Sequence, residues 1–278
     1  MHLVETNWLS ENLGNENLVV LDATWHMPNL NKDARQEYWD AHIDGAVFFD
    51  IDRIADTSVN LPHMLPDEAL FNAAMDEMGI TNDHHIVVYD GYGFLSSARA
   101  WWTFKVMGHE KVSILNGGLK KWNAESRATT AALAKANATN GYKANLNASS
   151  VKDIAQMHAH VAANDIQTLD ARSAGRFSGV DPEPRAGLSS GHMPNGFNLP
   201  FVQLANDDGT VVSKAEIESL LSASGIDMNM PIVTTCGSGI TAANLWFAMD
   251  YIGIKNLHLF DGSWTEYAQH ADSVIVKD

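Results

Sequence analysis

The feature that most limits what this chain can become is that it repeats itself. The stretch Ile86-Val-Val-Tyr-Asp90-Gly-Tyr-Gly93 runs on through Trp101, Trp102 and Gly108 to Val112-Ser-Ile-Leu115-Asn-Gly117 and Trp122. A second stretch, Ile232-Val-Thr-Thr-Cys236-Gly-Ser-Gly239, runs on through Trp246, Phe247 and Gly253 to Leu257-His-Leu-Phe260-Asp-Gly262 and Tyr267. Upstream, His42-Ile-Asp-Gly-Ala-Val-Phe-Phe-Asp50 pairs with His192-Met-Pro-Asn-Gly-Phe-Asn-Leu-Pro200, and Leu21-Asp22-Ala23 pairs with Leu169-Asp170-Ala171. Matched blocks in the same order imply a duplicated domain. The 278 residues then divide into a first domain at 1–123, a linker at 124–150 and a second domain at 151–278. The linker is rich in Ala, Asn, Thr and Ser and has little apolar periodicity. Part of it, 131–136, could instead form a frayed amphipathic helix.

In each copy, short apolar runs alternate with segments of helical period. The runs fall at 18–21, 86–89 and 112–115, and again at 168–169, 232–235 and 257–260. Ala242, Leu245, Trp246, Met249 and Ile252 are spaced as one face of a helix. Strands alternating with helices predict an α/β fold: two tandem domains, each a parallel sheet with helices on both faces. In such sheets ligands bind beyond the carboxyl ends of the strands. Cys236 falls there.

Composition narrows the chemistry. A net charge of −16 repels nucleic acid and anionic membrane, so neither is expected as a partner. No apolar run is long enough to span a bilayer, and Met1 to Ser10 carries no basic residue of the kind that opens a signal peptide. A single cysteine excludes an intramolecular disulfide and any metal site built on several thiolates. Such a thiol suits a reducing compartment, and a cytoplasmic location is expected.

The chemistry centres on Cys236. Pro231-Ile-Val-Thr-Thr235 reads as a short β-branched strand, Cys236-Gly-Ser-Gly-Ile-Thr241 follows at once, and a helix begins near Thr241. A cysteine between a strand end and a helix N-terminus faces unpaired backbone N–H groups and the positive end of the helix dipole. Gly237 and Gly239 let the loop curl into an anion nest with Ser238, Ile240 and Thr241. Such a setting favours the reactive thiolate and could equally hold a persulfide anion. A glycine-rich turn around a structural cysteine is the bland alternative. The first copy argues against it, because Asp90 stands where Cys236 does, so packing does not demand a thiol.

At this loop the chain resembles the 3-mercaptopyruvate sulfurtransferases of the rhodanese superfamily. The blocks Phe48-Phe-Asp-Ile-Asp52, His63-Met-Leu-Pro66, Gly175-Arg-Phe177, Glu183-Pro-Arg185 and Asp261-Gly-Ser-Trp264 extend the resemblance over nearly the whole chain. In that family the first domain is catalytically degenerate, as Asp90 suggests. The relatives that use thiosulfate place basic residues directly after the cysteine, whereas Gly237 and Ser238 are neutral. Cysteine phosphatases of related architecture need an arginine where this chain has Ala242.

Seven arginines occur in the chain, three of them between 172 and 185, a stretch that Gly179, Pro182 and Pro184 mark as a loop rather than a helix. From the residues alone, Arg176 and Arg185 could bind a carboxylate through their planar forks or pair with Asp181 or Glu183. The resemblance makes them the pair that grips mercaptopyruvate, and Arg172 reads as structural. It also implies that Ser238, His63 and Asp52 form a proton relay. That relay would draw Asp52 and His63 from the first domain and Ser238 from the second. Blandly, Ser238 is a turn former, Asp52 a cap and His63 a loop histidine. Thr241 is expected to cap the helix or steady the loop. His42 and His192, equivalent in the repeat, read as structural, and Trp264 as either core or cleft lining. The implied reaction passes sulfur from 3-mercaptopyruvate to Cys236, then to a small thiol, a thioredoxin-like protein or cyanide. It needs neither metal nor organic cofactor. A non-catalytic persulfide carrier and a thiosulfate sulfurtransferase are the alternatives.

Overall fold

A computed structural model describes residues 1–134 and 138–278. Contacts divide the chain into two compact units. Unit 1 comprises Met1–Asp56, Leu65–Asn147 and Ala205–Val211; unit 2 comprises Thr57–Met64, Ala148–Leu204 and Val212–Asp278. This differs from a single cut in the chain, since each unit holds one short segment from the other half of the sequence. One consequence concerns His63, expected with the first domain: it packs with unit 2.

The described residues form two five-stranded sheets whose strand pairs are all parallel. In unit 1 the strands are β1 (Leu3–Val4), β2 (Leu18–Asp22), β3 (Val47–Phe48), β4 (His85–Tyr89) and β5 (Val112–Leu115), in the order β1-β5-β4-β2-β3. In unit 2 they are β6 (Val151–Lys152), β7 (Gln167–Asp170), β8 (Phe197–Asn198), β9 (Ile232–Thr235) and β10 (Leu257–Phe260), in the order β6-β10-β9-β7-β8. The two orders are the same order. Register agrees as well, with Ile114, Val88 and Leu21 level in one sheet and Leu259, Thr234 and Leu169 level in the other. Asp90 and Cys236 each lie two residues past the central member, so the repeat equates them.

The helices repeat too. Unit 1 has α1 (Thr6–Asn12), α2 (Ala34–Asp40), α3 (Glu68–Glu77), α4 (Ser97–Val106) and α5 (Gly118–Ala124); unit 2 has α6 (Ile154–Ala163), α7 (Ala174–Ser178), α8 (Lys214–Ser224), α9 (Ala242–Ile252) and α10 (Ser263–Tyr267). Central strands read as unbroken apolar runs because they are covered on both faces; Ile86 to Tyr89 are fully buried. The single apolar face expected of α9 is too narrow a description. Ala243, Asn244, Phe247 and Ala248 are buried along with Ala242, Leu245, Trp246 and Met249, because α9 packs on β9, β10, α8 and the turn at Phe201–Leu204 at once. Among the described residues, no helix is long and apolar enough to cross a membrane.

The stretch 124–150 is less a free tether than a strap, as far as it is described. Thr130 bridges to His42, and Tyr142 is buried. The Asp76 carboxylate accepts from the hydroxyl of Thr139 and the amides of Gly141 and Tyr142. Those bonds, that of Tyr142 foremost, hold its pKa below the ordinary carboxylate value. Residues 131–134 are not helical; the rest of the candidate helix, 135–136, lies outside the described residues.

His42 and His192 do the same job in the two units. His42 Nδ1 lies 2.6 Å from the Tyr38 carbonyl and its ring stacks on Tyr38 at 4.2 Å. His192 Nδ1 lies 3.0 Å from the Phe177 carbonyl and stacks on Phe177 at 4.1 Å. Each also bridges to a later strap, at Thr130 and Val276 respectively. Both histidines close a helix end, and neither needs a chemical role to explain it.

Candidate active site

Cys236 follows β9 directly and is 2% exposed. Its backbone is tied to the turn after β10. The Cys236 amide donates to Ser263 Oγ at 3.2 Å, and the Cys236 carbonyl accepts from the Trp264 amide at 2.9 Å. One residue on, the Gly237 carbonyl accepts from both the Thr265 amide (2.9 Å) and the Thr265 hydroxyl (2.6 Å). The loop is therefore anchored on both sides of the thiol by Ser263 and Thr265, two residues the sequence did not single out. Their only signal was proximity to the repeated turn that reads Asn116-Gly117 in the first copy and Asp261-Gly262 in the second. Gly239 turns the chain with φ +83°, a conformation that other residues adopt at a cost. Ile240 is buried, and α9 then starts at Ala242. Thr241 occupies the N-cap position but its side chain makes no capping hydrogen bond, because its backbone is already helical (φ −80°, ψ −12°). The cap expected there is absent.

Unit 1 shows what the same loop does around an anion. The carboxylate of Asp90, fully buried, accepts from the amides of Tyr92 (2.8 Å) and Gly93 (2.7 Å) through one oxygen, and of Leu95 and Ser97 (both 2.8 Å) through the other. The nest in the first copy is filled by its own side chain. In unit 2 the amides of Ser238, Ile240 and Thr241 bond to no other group of the described residues. Asp90→Ala should leave buried amide donors without their acceptor, at roughly 1–3 kcal/mol for each one left unsatisfied. A loss of at least about 3 kcal/mol in urea unfolding is expected. A loss under about 0.5 kcal/mol would show that the nest does not depend on its anion.

The arginine cluster forms a chain of alternating charge within unit 2. Asp170, at the end of β7, accepts from Arg172 Nε at 2.9 Å and Nη2 at 2.6 Å. Arg172 Nη1 reaches Glu183 at 2.8 Å, and Nη2 reaches the Gly191 carbonyl at 2.6 Å. The guanidinium lies 4.1 Å from the ring centre of Trp264, which is fully buried and so belongs to the core. Burial opposes the charge on Arg172, yet Asp170 and Glu183 outweigh it and push the pKa above its ordinary value. In unit 1 Thr24 stands at the place of Arg172, and the Asp22 carboxylate has the Thr24 hydroxyl and amide and the Tyr89 hydroxyl as partners, none of them a cation. Burial accordingly raises the Asp22 pKa, those bonds offsetting part of the effect.

Arg176 is on helix α7, not in a loop as its Pro- and Gly-dense surroundings suggest. Five residues fit between Ser173 and Gly179, whose φ of +88° ends the helix before Pro182 and Pro184 could disrupt it. Glu183 takes Arg176 Nε at 3.1 Å and Nη2 at 2.6 Å. The same Nη2 sits 3.1 Å from the point where a side chain on Gly237 would begin. Arg185 Nη1 is 3.4 Å from Thr265 Oγ1, the hydroxyl that holds the Gly237 carbonyl. Both arginines thus reach the Cys236 loop, one by direct approach and one through Thr265.

The relay residues are less assembled. Ser238 is buried, and its hydroxyl bonds to no other group of the described residues. His63 is buried with φ +61° and belongs to unit 2. Asp52 belongs to unit 1 and is exposed; its Oδ2 accepts from the Trp25 indole at 3.2 Å. Among the described residues, no hydrogen bond joins Ser238 to His63.

A thiol at the carboxyl end of a central parallel strand, duplicated in degenerate form, invites comparison with known proteins. A model of the rhodanese-like domain matches residues 5–125 and again 153–270. The chain belongs to the rhodanese family. A thiosulfate/3-mercaptopyruvate sulfurtransferase of Arabidopsis thaliana, named as mitochondrial, is 38% identical over 98% of this chain and 77% of its own. The thiosulfate sulfurtransferase of Rattus norvegicus is 37% identical over 97% of this chain and 92% of its own. Among solved structures, the 3-mercaptopyruvate sulfotransferase SseA of Escherichia coli superposes with a TM-score of 0.85 at 34% identity, covering 94% of this chain and 98% of that one. By family and by similarity across nearly its whole length, this rhodanese is a sulfurtransferase, acting between a sulfur donor and an acceptor. The relatives' names divide between two donors, so similarity does not choose one.

Proposed function

We propose that the donor is 3-mercaptopyruvate and that Cys236 carries its sulfur. The Cys236 thiolate attacks the donor sulfur; an S–S bond forms as the carbon–sulfur bond breaks. The electron pair of that bond passes to the enolate of pyruvate, which takes a proton at carbon and leaves. The loop amides that in unit 1 hold a carboxylate would here hold the persulfide anion. A thiol, a thioredoxin-like protein or cyanide then removes the outer sulfur and restores the thiolate. Ser238 and His63 are the groups we assign to proton handling, with Asp52 as the third member of the set, and a reducing, cytoplasmic setting suits the thiolate.

One observation carries the donor choice. Two guanidiniums, Arg176 and Arg185, reach the loop at Gly237, while Gly237 and Ser238 themselves bring no charge. A carboxylate can sit on the arginines at a distance from the sulfur being transferred. A thiosulfate dianion, whose charge lies next to the transferred sulfur, finds no cation immediately after the thiol. Side-by-side kinetics with a common acceptor should therefore give a higher kcat/KM for mercaptopyruvate than for thiosulfate.

Arg176→Ala and Arg185→Ala should each lower kcat/KM for mercaptopyruvate by roughly 10–150-fold, the usual loss of one charged hydrogen-bonding partner. Release of sulfur from preformed Cys236 persulfide to cyanide, which has no carboxylate, should change little. If both half-reactions fell equally, the arginines would not be binding the donor.

A further inference from the structure

We infer that Glu183 is a positioning residue for Arg176, holding its guanidinium so that the terminal fork is presented to the donor beside Gly237. The inference rests on the donor reading above and adds to it. A guanidinium has five N–H donors in a rigid plane. Glu183 takes two of them, on the Nε and Nη2 edge, at 3.1 and 2.6 Å. Both Nη1 donors and the second Nη2 donor remain, and together they make a fork that can hold a carboxylate end-on. The Arg176 side chain makes no other hydrogen bond among the described residues, so Glu183 is the partner that sets where that fork points.

Glu183 can do this because it cannot itself move. Its side chain is 2% exposed, and its Oε1 also accepts from Arg172 Nη1 at 2.8 Å. Arg172 is in turn fixed by Asp170, by the Gly191 carbonyl and by Trp264. Placement is thus passed from the end of β7 through Arg172 and Glu183 to Arg176. Arg176, 22% exposed, would otherwise sample several rotamers. A side chain ordered before binding costs the donor less to engage, and it keeps the reacting sulfur in line with the thiolate.

The test uses the full chain, steady-state kinetics with mercaptopyruvate, and cyanide removal from preformed persulfide. Glu183→Gln keeps the shape but offers one acceptor, for which Arg172 and Arg176 must compete, and turns an amide N–H toward a guanidinium. Its KM for mercaptopyruvate should rise about tenfold or more, as for loss of a charged hydrogen bond, with a smaller effect on kcat. The cyanide step should hold. In an Arg176→Ala background the same change should add almost nothing, because the residue being positioned is gone. Equal losses from Glu183→Gln in both backgrounds would overturn the inference. Should Glu183→Gln not fold, Arg176→Lys decides: it keeps the charge but cannot be held by two bonds to one carboxylate. Arg176→Lys should lose nearly as much kcat/KM as Arg176→Ala, and wild-type kcat/KM from it would overturn the inference. An Arg176→Ala variant with unchanged mercaptopyruvate KM would instead remove the donor reading itself, which is a different result from additivity in the cycle.

Discussion

Cys236→Ser is expected to abolish sulfur transfer from every donor while leaving the fold in place. The chain has one cysteine, so no other thiol can substitute. Serine fits the space, and the Cys236 backbone bonds to Ser263 and Trp264 do not involve the side chain. A hydroxyl, however, cannot carry sulfur as a persulfide. The expected result is turnover at background with mercaptopyruvate and thiosulfate alike, together with an unchanged circular dichroism spectrum and unfolding midpoint. Residual turnover above about one part in a thousand of wild type would place the chemistry elsewhere.

Arg172→Ala is expected to have the largest effect on stability. Its side chain is fully buried, and its two carboxylate partners, Asp170 and Glu183, are 3% and 2% exposed. Truncation leaves two buried carboxylates without their shared cation. Removing one partner of a buried pair typically costs about 3–5 kcal/mol. A natural comparison lies in unit 1, where Arg35 and Asp50 pair at 2.5 Å but are 41% and 27% exposed. Solvent screens that pair, and Arg35→Ala should cost at most about 1 kcal/mol. Urea unfolding of both variants checks the contrast. Equal losses would mean that the alternating chain at Arg172 contributes no more than an ordinary surface pair.

The repeat was legible because its blocks lie on the elements that build each sheet, and matched strands at β4 and β9 force Asp90 and Cys236 into the same place. That Asp90 fills the nest with its own carboxylate was not legible. The substitution reads as a lost nucleophile, and only the amide geometry reveals one anion replacing another. Arg176 and Arg185 were found as candidates, but Asp181 and Glu183 could not be told apart as partners from spacing, since only Pro182 separates them. Helix α7 was missed for a related reason: glycine and proline density marks its end and hides its short body. The packing of His63 with unit 2 depends on contacts far apart in sequence, which no local pattern encodes. Ser263 and Thr265 escaped notice because their contribution is a hydrogen bond to backbone, for which any short polar side chain in a turn is a candidate.

The central claim is that this rhodanese stores donor sulfur on one thiol. Intact-mass analysis after incubation with 3-mercaptopyruvate and removal of excess donor tests it most directly, with pyruvate measured in the same sample. The account predicts a gain of about 32 Da, one sulfur atom on the thiol, reversed by cyanide and accompanied by one equivalent of pyruvate. The Cys236→Ser protein should gain nothing. Pyruvate formed without any mass gain on the wild-type chain, or an equal gain on the serine variant, would contradict it.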